Sequence, residues 1–306
     1  MANEIYYSPT LADLRVAEVL RQELIMLLAD RASLRGHPAI TYLGDLSNRG
    51  SATIKVSQVG LDGYDVMGSV AENASVSNTA LTVASATCTI ARYAKQYEYS
   101  DLARLTDSLG ELSAMLLAQD AVKSADMTFT ATLCAILDNF GTSVGTSGAA
   151  MTLDNFYDAI YGLERAYVDG PFLSVLHPKQ YTHFQSSLRA EAGAIQFMAA
   201  TADQLHIKGQ GFKGTFAGVD IFASSKVVTM NGGADRAGCM MGPGAVGWAD
   251  AAAPVPQGAE SVSAGPILLE FERNGSGGLT KAISNFFFGV TEIEDSRGVS
   301  IITANP

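Results

Sequence analysis

The stretch SATIKVSQVGLDGYDV, residues 51–66, and the later stretch TCTIARYAKQYEYSD, residues 87–101, decide the fold of this chain. Both are rich in β-branched and aromatic residues, and the first alternates apolar with polar side chains, which predicts β-strands. Asp62-Gly63 and Ser77-Asn78 supply turn signals between them. A β region this long and nearly without a core is unstable as an isolated hairpin. We therefore expect a neighbouring subunit to lie against it.

A strongly periodic helical segment follows this β region. Apolar residues step by three and four from Leu102 to Phe140, and Ser100 and Asp101 supply a cap. An unbroken helix over this segment would span roughly 58 Å at 1.5 Å per residue. Such a length is unusual in a compact domain, and Gly110 is a position at which the helix could break early.

Residues 10–33 predict a further helix near the N-terminus. Thr10 is suited to cap it. One face carries an apolar stripe formed by Leu14, Ala17, Leu20, Leu24, Leu27 and Leu28. We expect this stripe to pack on the protein's own core.

Short alternating elements follow the small-residue loop GTSVGTSGAA, residues 141–150. Helices are predicted from Thr152, with Tyr167 in its apolar face, and from His177-Pro178. The predicted strands are PFLSVL, RAGCMM, GAVGWA, ILLEFER and two closing strands joined at Asp295-Ser296-Arg297-Gly298. The chain is therefore predicted to be an α+β protein with a protruding β region and one long helix.

The composition favours a protein that is covered by other copies of itself. Charged residues make up 17% of the 306 residues, against roughly 25% in soluble domains. A surface with few charges and many small residues is poorly solvated, and contact with other subunits would cover it. The net charge of −11 argues against a nucleic-acid grip, because phosphate binding requires clustered Lys and Arg.

Cysteine usage and the N-terminal sequence indicate a soluble cytosolic protein. Cys88, Cys134 and Cys239 form no C-x-x-C spacing, so we expect reduced core residues. The opening MANEIYYSPT lacks the basic and apolar regions of a signal peptide. The uncharged run at residues 73–91 contains nine Asn, Ser or Thr residues, which a bilayer core would penalise.

The stretch GQGFKG, residues 209–214, matches the G-x-G-x-x-G fingerprint of dinucleotide-binding loops. Such a loop needs a preceding strand and a following helix, whose N-terminus binds the pyrophosphate. The preceding LHIK could be a strand, but the following TFAGVDIFASS also alternates like a strand. We interpret the glycines as a hairpin turn and predict no cofactor. A nucleotide-dependent soluble enzyme is the remote alternative.

Other possible catalytic and metal-binding patterns are weak. GTSVG, residues 141–145, matches the nucleophile elbow but follows a long helix, which favours a flexible loop. His177 and His183 are six residues apart and do not share a helix face, which argues against a metal site. Glu292 and Glu294 are predicted on one strand face, where solvated edge charges are the alternative to a glycosidase-type pair. We predict no catalytic, cofactor-binding or metal-binding residue, and no enzyme.

The order of these parts resembles the tailed-bacteriophage major capsid protein family, which has the Hong Kong 97-like fold. Residues 51–101 are similar to the family's extended E-loop and its return strand, and residues 99–140 to its spine helix. FLSVLHPKQYTHFQ, GTFAGVDIFASSKV and AGCMMGPGAVGWA resemble the strand–helix unit, the hairpin and the Gly-Pro-Gly-Ala turn of its axial domain. FFFGVTEIEDSRGVSIIT resembles its closing strands. The resemblance covers nearly the full length through the order of its parts.

The resemblance implies a domain organisation and a set of contacts. The implied parts are an N-terminal arm with a helix at 1–50, the E-loop with flanking strands at 51–95, a peripheral domain with the spine helix at 96–150, an axial domain at 151–278 and closing strands of the peripheral domain at 279–306. By position, inter-subunit contacts are implied at Leu14, Leu20, Leu24, Tyr64, Val66, Met67 and Glu72.

The resemblance also implies a role. Copies of the protein would form the hexamers and pentamers of an icosahedral virion head, assembled in the host cytoplasm, that encloses double-stranded DNA without binding it specifically. Met1 leads within ten residues into the helix, so we expect a separate scaffolding protein, with a portal and a cement protein as further partners. Lys55 is the only lysine between residues 50 and 90 and lies near the base of the loop, so we expect no covalent crosslink. An encapsulin-type nanocompartment shell is the alternative with the same fold.

Overall fold

The structure is a computed structural model that describes residues 34–47, 49–59, 67–76, 83–102, 114–190, 197–209, 211–254 and 260–305. The predicted helix at 10–33, the turn signals at Asp62-Gly63 and Ser77-Asn78, and Gly110 lie outside the described residues. Helices and sheets both occur within the described residues, so the predicted α+β class is confirmed.

The strands are β1 (Ile40–Asp45), β2 (Thr53–Val59), β3 (Val83–Thr89), β4 (Ala91–Ser100), β5 (Ser143–Val144), β6 (Phe172–Leu176), β7 (Met198–Ala199), β8 (Phe212–Phe216), β9 (Val219–Ala223), β10 (Thr229–Met230), β11 (Asp235–Met241), β12 (Val246–Asp250), β13 (Glu260–Ala264), β14 (Ile267–Asn274), β15 (Leu279–Glu292) and β16 (Gly298–Ala304). The helices are α1 (Ala114–Cys134), α2 (Leu153–Arg165), α3 (Pro178–Ala190) and α4 (Ala202–Lys208).

A six-stranded sheet is built around the long strand β15. Phe288 of β15 pairs with Ala91 of β4 on one side and with Asp250 of β12 on the other. Strand β14 pairs with the first part of β15, β13 continues from β14, and β1 runs parallel to β12. Helix α1 packs on β14 and β15. Its Phe129 is fully buried, with its ring centroid 5.5 Å from that of Phe288.

An eight-stranded sheet forms the second layer, in the order β5-β16-β11-β6-β9-β8-β7, with β10 paired to β11. Helices α2 and α3 cover one face, where Phe156, Phe184 and Phe216 are almost fully buried. The opposite face shares a core with α1 and the six-stranded sheet, to which Leu173 and Val175 of β6 contribute. Because the residues of β6 alternate between the two cores, both faces of this sheet are covered.

The long helix ends earlier than its periodicity predicts. Helix α1 stops at Cys134 and is followed by a turn, so the predicted continuation to Phe140 is wrong. The turn brings Leu137 and Phe140 into the core beside β16. A Cβ at Gly298 would lie 2.3 Å from the Phe140 ring, and Ser300 Oγ donates a 2.8 Å hydrogen bond to the Leu137 carbonyl. Contacts with a strand distant in sequence therefore end the helix.

The two predicted closing strands are present but belong to different sheets. Strand β15 is central to the six-stranded sheet, a 3-10 turn over Asp295–Arg297 follows, and β16 enters the eight-stranded sheet. Strands β12, β13 and β14 also lie in the six-stranded sheet. The domain boundaries implied by the resemblance stay a prediction. The strands β12, β13 and β14 fall within the implied axial domain but share a sheet with β15, which falls within the implied peripheral domain.

Candidate functional site

The hairpin formed by β2 and β3 is the candidate site. The two strands pair antiparallel from Thr53 opposite Thr89 to Val59 opposite Val83, so the predicted strand pair is confirmed. Seven residues in each strand extend about 23 Å at 3.3 Å per residue, before the chain reaches the segment 67–76.

This hairpin has almost no core. Of its residues whose burial is described, only Cys88 is buried, and every residue of the segment 67–76 is exposed. Four apolar side chains, which we call the hairpin surface, are at least half exposed: Met67 at 96%, Val70 at 51%, Val76 at 73% and Val83 at 52%. Exposed apolar side chains on an element with almost no core are typical of an interaction surface.

The hairpin is attached to the body at its base. Cys88 forms a small buried cluster with Leu46 and Ala249, against which Ile54 packs. The base also lies very close to β15, because a Cβ at Gly289 would be 2.3 Å from the Thr89 carbonyl oxygen. Glycine at this position is what permits the crossing.

The structure describes two of the seven residues implied as inter-subunit contacts. Met67 and Glu72 are both exposed in the segment 67–76. The other implied residues, Leu14, Leu20, Leu24, Tyr64 and Val66, lie outside the described residues. Val70, Val76 and Val83 are also exposed and were not among the implied contacts, although isolated valines among Ser, Ala and Asn could have indicated them.

A second feature missed by the sequence interpretation is the segment Leu34–Ala39, which joins the two sheets. Leu34 is buried in the shared core. The guanidinium of Arg35 lies 5.8 Å from the ring centroid of Phe129 and 5.9 Å from that of Phe286, which are cation–π distances. Burial lowers the pKa of Arg35, although Asp126 and Asp250 oppose this shift.

His37 anchors the same segment to the eight-stranded sheet. Its Nδ1 accepts a 3.1 Å hydrogen bond from the Ala39 backbone N–H, so in the neutral ring Nε2 carries the proton and donates to Asp220 at 3.1 Å. Burial lowers the pKa of His37. Burial also acts on Asp220, but hydrogen bonds from Lys208, His37 and Thr215 outweigh it and lower the pKa of that carboxyl. These bonds are structural.

The loop GQGFKG does not have the geometry of a dinucleotide site. Helix α4 precedes it and ends at Lys208, with Gly209 as its C-cap, and strand β8 begins at Phe212. The order is helix, loop, strand, which is the reverse of what the pyrophosphate site needs. LHIK, which could have formed a strand, is the last turn of α4. The predicted hairpin turn at these glycines is wrong, since the β8–β9 turn lies at Ala217-Gly218.

The other weak motifs have structural explanations. Ser143–Val144 of GTSVG forms strand β5, parallel to β16, rather than a flexible loop. Glu292 is the last residue of β15, so Glu294 does not share its strand face. Glu294 is buried and accepts hydrogen bonds from Arg297 Nε at 3.1 Å and Ser296 Oγ at 3.0 Å, which corrects the prediction of solvated charges. Burial raises the pKa of Glu292, and the nearby negative charge of Asp295 raises it further.

The predicted Thr152 cap and the predicted burial of the cysteines are confirmed, but one residue of the capped helix is not. Thr152 caps α2 by accepting from the Asn155 N–H at 3.3 Å, but α2 ends at Arg165, before Tyr167. All three cysteines are free and buried, and burial raises the pKa of the Cys134 thiol to about 12. Within the described ranges, no three His, Cys, Asp or Glu side chains are grouped to hold a metal, and no helix is both long and apolar enough to span a membrane.

Solved structures with the same fold identify the architecture. No protein-family model matches the sequence, and no curated protein sequence matches it. The capsid structure of cyanophage P-SCSP1u superposes with a TM-score of 0.56 at 13% identity, covering 88% of this chain and 87% of that chain. The capsid of an empty GTA particle gives 0.55 at 15% identity, covering 90% of each chain.

An encapsulin matches equally well. The holo-SrpI encapsulin complex from Synechococcus elongatus gives a TM-score of 0.56 at 13% identity, covering 86% of this chain and 84% of that chain. These identities are low, so the similarity concerns the fold. The chain has the Hong Kong 97-like fold of tailed-phage major capsid proteins, a fold that this encapsulin shares.

Proposed function

We propose that the protein is the major capsid protein of a tailed bacteriophage, which self-assembles into hexamers and pentamers of an icosahedral head around double-stranded DNA. The observation that carries this proposal is the β2–β3 hairpin, which belongs to a capsid-type fold, has almost no core and leaves apolar side chains uncovered. The chain alone leaves these side chains in water, whereas a second copy would cover them.

The proposed mechanism of assembly is geometric. The hairpin is attached through Cys88 and the Gly289 crossing, and the rest of its described length is open to a neighbour. Burial of apolar area contributes about 25 cal/mol per Å², so a few valine and methionine side chains give a modest contact. A closed shell repeats that contact for every subunit, and multivalency makes the assembly far more stable than one contact.

The net charge of the chain fits a shell that encloses nucleic acid without binding it. With a net charge of −11, the wall would repel DNA phosphates on average. We infer that the DNA is enclosed without specific binding and that no enzymatic activity is required. The scaffolding, portal and cement partners, and assembly in the host cytoplasm, belong to the same proposal.

An encapsulin-type compartment is the second candidate, favoured by the structural match to the SrpI encapsulin. The two candidates differ in what the particle contains. A phage head encloses DNA and requires a portal, whereas a compartment encloses protein cargo. Nucleic-acid and protein content of particles purified from the native source would therefore distinguish them.

The test is to purify the full chain, alone and with co-expressed candidate scaffold, and to examine it by light scattering and electron microscopy. We expect closed shells, or rings of five and six subunits. Replacing Met67 and Val76 together with Asp should abolish these particles, while the matched Met67→Leu, Val76→Ile variant should retain them. A chain that stays monomeric or dimeric under all conditions, or an Asp variant that assembles normally, would contradict the proposal.

A further inference from the structure

The sequence contains two Asn-Gly dipeptides, Asn231-Gly232 and Asn274-Gly275. Both are exposed, the first in a 3-10 turn and the second where β14 ends and a turn begins. In an Asn-Gly step the glycine nitrogen can attack the asparagine side-chain carbonyl carbon, because no Cβ hinders its approach. The new C–N bond closes a succinimide ring and ammonia leaves. Water then opens the ring at either carbonyl, which gives aspartate or isoaspartate and one additional negative charge.

The hydrogen bonds at Asn274 favour this attack. Its side-chain oxygen Oδ1 accepts from Ser276 Oγ at 2.8 Å and from the Gly277 N–H at 3.4 Å. Two donors on the carbonyl oxygen stabilise the negative charge that develops there during attack, as in an oxyanion hole. Within the described residues, the leaving nitrogen Nδ2 has no hydrogen-bond partner. A Cβ at Gly275 would meet nothing within 4 Å, so the turn has room to close the ring.

The hydrogen bonds at Asn231 have the opposite arrangement. Its Nδ2 donates to the Asp235 carboxylate and, at 3.4 Å, to Ser147 Oγ, which holds the leaving group. In the described part of the chain, no donor contacts its Oδ1. The product carboxylate would also face Asp235, which is fully buried and already accepts from Ser147 and the Gly148 N–H. Two carboxylates in hydrogen-bond proximity repel each other, which disfavours the product at this position.

From these two arrangements we propose that Asn274 is a spontaneous modification site, activated by Ser276 and Gly277, and that Asn231 is protected. This inference does not depend on the capsid function.

The modification would act on the corner where β14 turns into β15. Arg273 forms a two-bond ion pair with Asp101, at 3.0 and 2.9 Å, and the Asp101 N–H donates to the Gly278 carbonyl at 2.8 Å. A new carboxylate at position 274 adds a negative charge one residue away from Arg273 and its ion pair with Asp101. Isoaspartate also lengthens the backbone inside the pairing of Asn274 with Leu279. Modification therefore weakens the contacts of Asp101 with Arg273 and Gly278, which hold the β14–β15 turn to the start of the helical segment.

The test is to incubate the purified full chain in mildly alkaline buffer and to follow both asparagines by peptide-mapping mass spectrometry and isoaspartate-specific methylation. We expect Asn274 to convert about tenfold faster than Asn231 or more, since the hydrogen bond from Asn231 Nδ2 to the charged Asp235 holds its leaving group. Ser276→Ala should slow conversion at Asn274 severalfold and leave Asn231 unchanged. Gly275→Ala should slow it strongly while the circular dichroism spectrum stays unchanged.

The proposal is overturned by equal rates at the two asparagines, by faster conversion of Asn231, or by no conversion at Asn274. An unchanged rate in the Ser276→Ala variant would overturn the activating role of that hydroxyl. The Ser147→Ala variant provides a second comparison, because it removes one partner of the Asn231 amide and should raise conversion at Asn231 only.

Discussion

The β2–β3 hairpin is an antiparallel pair and the eight-stranded sheet is mixed, with parallel β5–β16 and β6–β9 pairs, but the main difference between them is what covers their side chains. The sheet has α2 and α3 on one face and the shared core on the other. The hairpin has a buried side chain only at Cys88 among those described, and its hairpin surface is exposed. Backbone pairing is therefore satisfied in both regions, while apolar side chains are extensively buried in only one of them.

This difference separates stability from assembly. Side chains in the covered sheet hold the subunit together, because burial of apolar area is the dominant favourable term in folding. Side chains on the hairpin contribute little to the isolated subunit and are available for a neighbour. Variants in the two regions should therefore affect different measurements.

The largest contrast is expected between Phe156→Ala and Met67→Ala. Phe156 is fully buried, with ring centroids 4.9 Å from Phe184 and 5.5 Å from Phe216, so its truncation should cost about 3–5 kcal/mol. Met67 is 96% exposed, so its truncation should change the free energy of unfolding by less than about 0.5 kcal/mol. Denaturant unfolding of unassembled subunits measures both, and equal losses would refute the contrast.

A smaller loss is expected from Gln180→Leu, which tests a polar contact within the covered region. Gln180 is fully buried, accepts from the His177 N–H and donates toward the Arg236 and Ile301 carbonyls and Thr303. Leucine keeps the volume but leaves these groups unpaired, which should cost about 2–4 kcal/mol. Gln185→Leu on the same helix is the control, and a loss no larger than in that control would contradict the prediction.

Gly289→Ala tests the base of the hairpin. A Cβ at this position would meet the Thr89 carbonyl oxygen at 2.3 Å, so the crossing strand must shift, at a cost of about 1–3 kcal/mol. Gly68→Ala is the matched control, since a Cβ there would meet nothing within 4 Å. The stability of the subunit and the yield of particles should both fall for Gly289→Ala only. Equal behaviour of the two variants would show that the crossing tolerates a side chain.

The smallest expected effect is the pH dependence of the segment Leu34–Ala39. Burial lowers the pKa of His37, so the unfolded chain binds a proton that the folded chain does not. Stability should therefore fall as the pH drops below the ordinary histidine range. Asp220, whose pKa is lowered by Lys208, His37 and Thr215 against its burial, adds a further loss at lower pH.

His37→Gln should reduce the loss of stability that occurs in the histidine pH range. It should not change the loss at lower pH that comes from Asp220, because the glutamine amide can still donate to that carboxylate. Unfolding at a series of pH values measures both. His177 and His183, whose pKa values burial also lowers, remain in the variant and contribute a residual slope. An unchanged pH profile would exclude His37 as its main source.

Elements with a strong local signal were predicted correctly from the sequence. The buried strand β6, the helix from Pro178 and the Thr152 cap depend on neighbouring residues, so short-range patterns were sufficient. The hairpin strands were predicted for the same reason, and the absence of a core in that stretch indicated an uncovered surface. The glycine loop was predicted to bind no nucleotide, although its place between α4 and β8 was not foreseen.

Features that depend on distant residues were decided by the tertiary structure. Helix α1 ends at Cys134 because Phe140 packs against Gly298, and the two closing strands divide between sheets because their partners lie elsewhere in the chain. The anchoring of His37 to Asp220 joins residues 183 positions apart. The alternation of apolar and polar residues in a strand and the capping of a helix depend on residues close together in the chain, so the local sequence specifies them. Strand partners and buried polar contacts are chosen among many distant alternatives by packing, which only the folded chain resolves.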